Sequence, residues 1–417
     1  MPLKIDIARI FRSKTTSILG VMVSVSMVSS VVMALSGLVI ARWVSPEVMG
    51  IARKFTIPAG YAAVLLILVS DGFRREYPYL IGKGDTEEAF ALAGVAKAWY
   101  FMCTLVMCCF FAVLTLRSFV AKNWVDVAGW GAQIIAVTMA FYGSYLATIY
   151  RRSLEFKQLS YNGLTATIAG IISLPCVKFF GYYGLILRQS IINIVGLWMN
   201  QRYLPVRAKM LWDKKRFCRL VKISVPLASV GYVRTSLLDS TFNYIVLATC
   251  GEASLGLYGI AVTFQSFALQ FVNAVSQVFH VKVANKYGEC ESVGKSLKYL
   301  AYPTMLAVIA SMFIAVCLCI SIGPFIRILL PKYVDAIPVI WILSINLPLM
   351  ALGLPSGILN VALKYKAMMS SAIIRVASVV ILLLIVPHTI EWCAASSIIG
   401  HFIGLAVEWL FLFRLTR

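Results

Sequence analysis

Charge is scarce in this sequence. Of 417 residues only 13% are charged, against 60% hydrophobic, where soluble domains carry about a quarter charged residues. That excludes an ordinary water-soluble globular protein. Acidic residues are scarcer still, with 17 Asp and Glu against 38 Lys and Arg. There are three histidines, His280, His388 and His401, far apart in the chain. No Cys/His spacing of a metal site occurs. Ten cysteines are scattered, several inside apolar runs (Cys103, Cys108, Cys109, Cys317, Cys319). They read as small packing hydrophobes rather than a disulfide framework. The alternating ten-residue pattern of an outer-membrane barrel is also missing, and no resident cofactor is implied.

What is present is a succession of apolar runs. Stretches of 18 or more apolar residues recur along the whole length, the mark of a polytopic membrane protein, and in lipid such stretches must be helical. Twelve spans are expected at 17–41, 55–73, 93–116, 126–149, 159–177, 181–199, 224–249, 256–281, 299–322, 337–361, 367–387 and 392–413. The first run, preceded by Lys4, Arg9, Arg12 and Lys14, is about 25 residues long, too long for the core of a signal peptide and right for a span. Of the 38 basic residues, 27 lie in or beside segments on the side of the N-terminus, 8 on the other side and 3 within spans. That asymmetry places both termini in the cytoplasm. It also explains a pI near 9.7 without any nucleic-acid partner.

The densest basic block is "QRYLPVRAKMLWDKKRFCRLVKI", Gln201 to Ile223. It reads as a cytoplasmic linker touching membrane lipid, with an interfacial helix as a further reading. It divides the chain into an N-terminal six-helix lobe (1–200), the linker (201–223) and a C-terminal six-helix lobe (224–417). The halves echo each other. "SPEVMGIA" (Ser45 to Ala52) answers "GEASLGLY" (Gly251 to Tyr258). "NWVDVA" (Asn123 to Ala128) answers "KYVDAI" (Lys332 to Ile337). "YYGLIL" opens the sixth span and "EWCAAS" the twelfth. The offsets are 206, 209 and 210 residues. Six spans per half keep both halves in one orientation, the parallel repeat of transporters.

On these residues the chain resembles a known family. "ARWVSPEVMGIARKFTIPAGYAAVLLILVSDGFRREYPYLIGKGD" looks like the first hairpin of bacterial polysaccharide exporters. "LGLYGIAVTFQSF" and "LPKYVDAIPVIWIL" look like the second-half signatures. The chain is similar end to end to Wzx-type O-antigen flippases of the multidrug/oligosaccharidyl-lipid/polysaccharide exporter superfamily. The resemblance implies an all-α, MATE-like exporter fold in a bacterial inner membrane, with a cavity opening alternately to either side. It implies undecaprenyl-pyrophosphate-linked oligosaccharide as cargo and a proton or sodium gradient as driving force. An O-antigen polymerase and a chain-length regulator are the implied protein partners.

Polar residues inside the spans mark where such cargo would travel. A central Arg or Asp costs about 2.5–3.5 kcal/mol on the insertion scale, so these residues point to pathways. Arg188, Arg234 and Arg375, with Lys178 near a span end, are the cation candidates, since Arg grips phosphate with paired bonds. The competing reading is a structural pair, or snorkelling to the interface. In the seventh span Tyr232, Ser236, Asp239 and Asn243 share a stripe at 100° per residue. Arg234 lies about 200° from Tyr232, so it is no simple intrahelical partner of Asp239 unless Pro226 and Gly231 distort the helix. In the eighth span Ser266, Gln270, Asn273 and Gln277 repeat the spacing. Ser236, Asn243, Gln270, Asn273 and Gln277 are thus sugar-contact candidates, with interhelical hydrogen bonding as the plainer alternative. Asp239, and His401 with Glu408 on one face of the last span, are candidates for ion coupling.

Two other functions compete. A cation-coupled multidrug antiporter of the same fold needs an aromatic, acidic cavity, which three intramembrane arginines oppose. A membrane polymerase or acyltransferase needs an assembled acid/base constellation, and the dispersed histidines and short outer loops offer none. The protein reads as a transporter rather than an enzyme.

Overall fold

The computed structural model describes residues 14–152, 156–290, 293–362, 364–385 and 389–416. They are almost entirely helical, and no strand occurs among them. Within the described residues each expected span falls mainly on helical structure; the end of the eleventh, 386–387, lies outside them. Among the described residues eight helices are long and apolar enough to cross a membrane, nine if one bent pair forms a single span. Four expected spans are not counted separately: the first appears as a shorter apolar helix, Val28–Trp43, the sixth, Tyr182–Arg202, is not among the eight, and the second and eighth are altered by two features. The helix Leu238–Cys290 runs through two expected spans, interrupted only by a kink at Gly251 (φ 83°). The second expected span is broken: Pro46–Leu66 and Ser70–Gly82 meet at 47°.

Two compact units form, Met1–Ile40 with Leu65–Val225, and Ala41–Val64 with Pro226–Arg417. The short segment after the first span therefore packs with the C-terminal half. The boundary at Val225 falls inside the helix Lys214–Tyr232, so the second half of the basic block, from Lys214, is continuous with the seventh expected span.

The first unit is built around an aromatic core. Phe73, Tyr77, Tyr100 and Tyr145 are fully or almost fully buried, with Phe73 and Tyr145 stacked at 5.8 Å. Gly72 lets Ser70–Gly82 approach Lys214–Tyr232 closely; a Cβ there would stand 2.5 Å from the Leu220 carbonyl oxygen. The helix Thr86–Val120 starts on an Asp85 cap that accepts from the Glu88 N–H. Its outer face carries Phe101, Leu105, Val113, Leu116 and Val120 exposed, the apolar surface that lipid covers. Elsewhere in this unit, Asn162 donates to Asn200 Oδ1 (3.0 Å) and Tyr150 Oη (3.3 Å) and accepts from Gln158 (3.0 Å). Deep amides thus satisfy one another, as hydrocarbon demands.

In the second unit the helix Pro46–Lys54 packs on Leu238–Cys290 through a reciprocal glycine crossing. A Cβ on Gly50 would stand 1.7 Å from the Glu252 carbonyl oxygen, and one on Gly256 would stand 1.8 Å from the Pro46 carbonyl oxygen. Pro46 and Glu252, like Gly50 and Gly256, are 206 residues apart. The repeat seen in sequence is thus a pseudo-two-fold contact, each copy's glycine resting on the other copy's first turn. Lys54 closes it with a 2.8 Å ion pair to Glu252. The helices Tyr365–Ile385 and Ile390–Thr416 pack along their length, with Gly400 and Gly404 facing Val379 and Arg375.

Candidate functional site: a charged cluster in the second unit

The second unit gathers charge at depths where charge is costly. Arg234 lies in a π-helical segment, Val233–Leu237, between Lys214–Tyr232 and Leu238–Cys290. Such a segment accommodates an extra residue and often marks functional sites. It breaks the 100° progression on which the Tyr232–Ser236–Asp239–Asn243 stripe depended. Tyr232 hydrogen-bonds the Tyr61 carbonyl at 3.0 Å, while Arg234 pairs with Glu408 at 3.0 Å.

Glu408 is nearly sealed, its side chain 3% exposed against 32% for Arg234. It also accepts from the Ser371 hydroxyl at 3.1 Å. Its second oxygen, Oε2, is buried without a hydrogen-bond partner among the described residues, as is Arg375 Nε. Arg375 sits within electrostatic range of Asp239, Glu408 and Arg234. Gly404 makes room for it: a Cβ there would stand 2.9 Å from Arg375 Cβ. Asp239 is exposed and lies in range of Arg375 and Arg53. Arg53 in turn stands over the Tyr258 ring, 5.7 Å from its centroid. His401 is buried, its Nδ1 bonded to the side-chain oxygen of Asn346. Three guanidiniums and two carboxylates share the cluster, leaving an excess of positive charge.

The remaining candidates lie elsewhere. Arg188 belongs to the first unit. It is 5% exposed, donates from Nε to the Gly170 carbonyl at 2.9 Å, and has Met33 Sδ at 3.9 Å from Nη2. No carboxylate pairs with it among the described residues. Lys178, also in the first unit, is exposed in the last turn of Leu174–Phe180. In the second unit Ser236 is half-buried and Gln270 is exposed. Asn243 buries its Oδ1 without a partner among the described residues. The side chains of Asn273 and Gln277 lie outside the described residues.

Sequence reasoning missed Arg53, Tyr258, Asn346 and Ser371. For Arg53 a signal existed. The 206-residue repeat aligns it with Gly259, and the structure places Arg53 Nη1 2.6 Å from where a Gly259 Cβ would be. One copy supplies the cation and the other the space for it. Asn346 and Ser371 carry no comparable mark in a single sequence.

The sequence profile of a family described as polysaccharide biosynthesis protein matches residues 39–331. Comparison with curated protein sequences gives no match. Solved structures share the fold. An inward-facing multidrug-resistance MATE transporter of the MOP superfamily aligns with a TM-score of 0.72 at 14% identity, covering 92% of this chain and 94% of that one. The lipid II flippase MurJ, inward closed, aligns with a TM-score of 0.69 at 15% identity, covering 95% and 89%. An outward-facing MATE transporter aligns at 0.65 and 13% identity, covering 98% and 97%. With all-helical membrane architecture, a repeat visible in both sequence and packing, and a profile match over most of its length, this chain belongs to the polysaccharide biosynthesis protein family, on the fold shared by MATE transporters and MurJ.

Proposed function

We propose that the protein is a flippase that moves undecaprenyl-pyrophosphate-linked O-antigen units from the cytoplasmic to the periplasmic leaflet of a bacterial inner membrane. The observation that carries this reading is the surplus of guanidinium over carboxylate in the cluster of Arg53, Arg234, Arg375, Asp239 and Glu408. A pyrophosphate brings negative charge and many acceptor oxygens, and Arg meets both with paired donors. Arg375 Nε, buried and without a partner among the described residues, is a donor such a headgroup would satisfy. The family match supports polysaccharide cargo in general. Alternating access coupled to a proton or sodium gradient completes the reading, with Asp239 and the His401–Glu408 helix as the coupling elements. Both termini are cytoplasmic, and an O-antigen polymerase and chain-length regulator act downstream.

One feature favours a second reading. Asp239 is an exposed carboxylate within a fold shared with MATE transporters, and a cationic drug would seek it. Complementation of a flippase-deletion strain separates the two. With Arg375→Lys and Arg375→Ala at equal membrane abundance, the first retains export of lipid-linked saccharide and the second loses it. Equal export by both variants overturns the headgroup contact. Drug efflux that needs Asp239, with saccharide export intact in Asp239→Asn, transfers the function to the antiporter reading.

A further inference from the structure

Two sulfurs in the second unit meet where the fold bends. Cys250 Sγ and Cys393 Sγ are 3.8 Å apart. Cys250 immediately precedes Gly251, the residue whose left-handed backbone kinks Leu238–Cys290. Cys393 is in the first turn of Ile390–Thr416. Cys393 is buried and Cys250 half-buried, so one thiol is reachable and the other waits behind it. A metal is a poor occupant: no group of three His, Cys, Asp or Glu that could hold one occurs among the described residues.

We propose that Cys250 and Cys393 form a reversible disulfide that ties the kink at Gly251 to the head of the last helix. The helix so tied carries His401 and Glu408. The oxidant is a disulfide, of a small thiol such as glutathione or of a thiol–disulfide oxidoreductase. The Cys250 thiolate attacks one sulfur of that disulfide, forming a mixed disulfide and releasing the first thiol. The Cys393 thiolate then attacks Cys250 Sγ and releases the second. One oxidant S–S bond is reduced to two thiols, which take the two protons lost by the cysteines, and one protein S–S bond forms. The sulfurs must close from 3.8 Å to about 2.05 Å, a short travel for a residue beside a glycine bend. Eight further cysteines are present, and Cys109 and Cys317, exposed on other helices, serve as internal controls.

The test uses the full-length protein in detergent, equilibrated with glutathione disulfide or with dithiothreitol. Unfolding, alkylation, digestion and mass spectrometry follow. After oxidation the Cys250 and Cys393 peptides appear as one cross-linked species, while Cys109 and Cys317 are alkylated in both samples. Dithiothreitol separates the pair. Thermal unfolding of the oxidised wild type shifts upward, because the link restrains the unfolded chain, and Cys250→Ser shows neither link nor shift. Two alkylated peptides after oxidation overturn the proposal, as does glutathione left on Cys250 with Cys393 free. A link without the thermal shift overturns the restraint. None of these readouts involves cargo, so failure here leaves the flippase reading untouched, and the reverse holds.

Discussion

The two units handle buried polarity in opposite ways. The first relies on neutral groups: Asn162, Asn200, Gln158 and Tyr150 exchange hydrogen bonds among themselves. Its one deeply placed arginine among the described residues, Arg188, rests on a backbone carbonyl and a thioether. The first unit's ion pairs, such as Arg216–Glu88 and Arg219–Glu76, stay part-exposed, whereas the second unit seals Glu408 and leaves its Oε2 and Arg375 Nε buried without a hydrogen-bond partner among the described residues. A closed amide network confers rigidity at low risk, because every member has a partner. An unmatched ionic cluster is costly, and is retained where a charged ligand or a change of state completes it. The second unit is therefore where a charged ligand would find unmet partners.

The largest expected effect lies in the second unit. Glu408→Ala leaves Arg234 and Arg375 without their buried counter-charge, and should cost about 3–5 kcal/mol, as breaking a buried pair does. Thermal unfolding in detergent reads this, and a loss near zero would mean that water, not Glu408, balances the arginines. Adding Arg234→Met to that variant should recover much of the loss. Next comes the neutral network. Asn162→Ala removes two donated bonds and one accepted bond, worth about 0.6 kcal/mol each in a membrane bundle, so about 2 kcal/mol together. An unchanged denaturation midpoint would show that the network is redundant.

Arg188→Met sharpens the contrast further. Because no carboxylate among the described residues depends on Arg188, stability should stay level or rise, whereas Arg234→Met should destabilise by leaving the buried Glu408 without its 3.0 Å ion pair. If Arg188→Met unfolds the protein, the first unit depends on ionic balance after all. The smallest effect is at the surface. Backbone N–H bonds from Arg216 and Lys215, together with the Arg216 guanidinium, hold the Asp213 carboxyl below its ordinary range. A carboxylate whose folded pKa is depressed stabilises the fold above its unfolded value, near 3.9, and that contribution fades as pH falls through the folded value. Asp213→Asn should therefore lower stability slightly at neutral pH, flatten the fall of the stability curve below about pH 4, and match the wild type in strong acid.

Much of this architecture was legible because lipid imposes simple rules. Apolar runs had to be helices, and the echo of "SPEVMG" in "GEASLG" carried through to a physical contact at Gly50 and Gly256. The positions of Arg234, Asp239, Arg375, His401 and Glu408 were visible as charges out of place. Their partners were not. Periodicity at 100° per residue fails across a π segment, so the face that Arg234 presents could not be computed. Proximity to Glu408 arises from sequence separation of 174 residues, which no local pattern encodes. Gly251 could have been a loop or a kink; only the continuing helix on both sides decides it.

The reciprocal seat of Gly50 and Gly256 binds the history of the two repeats together. Each glycine is required by backbone belonging to the other copy, so neither half of an ancestral duplication could drift at this point alone. Even a single methyl group added to one copy would call for a compensating retreat of main chain in its sister, and main chain has no smaller form to retreat to.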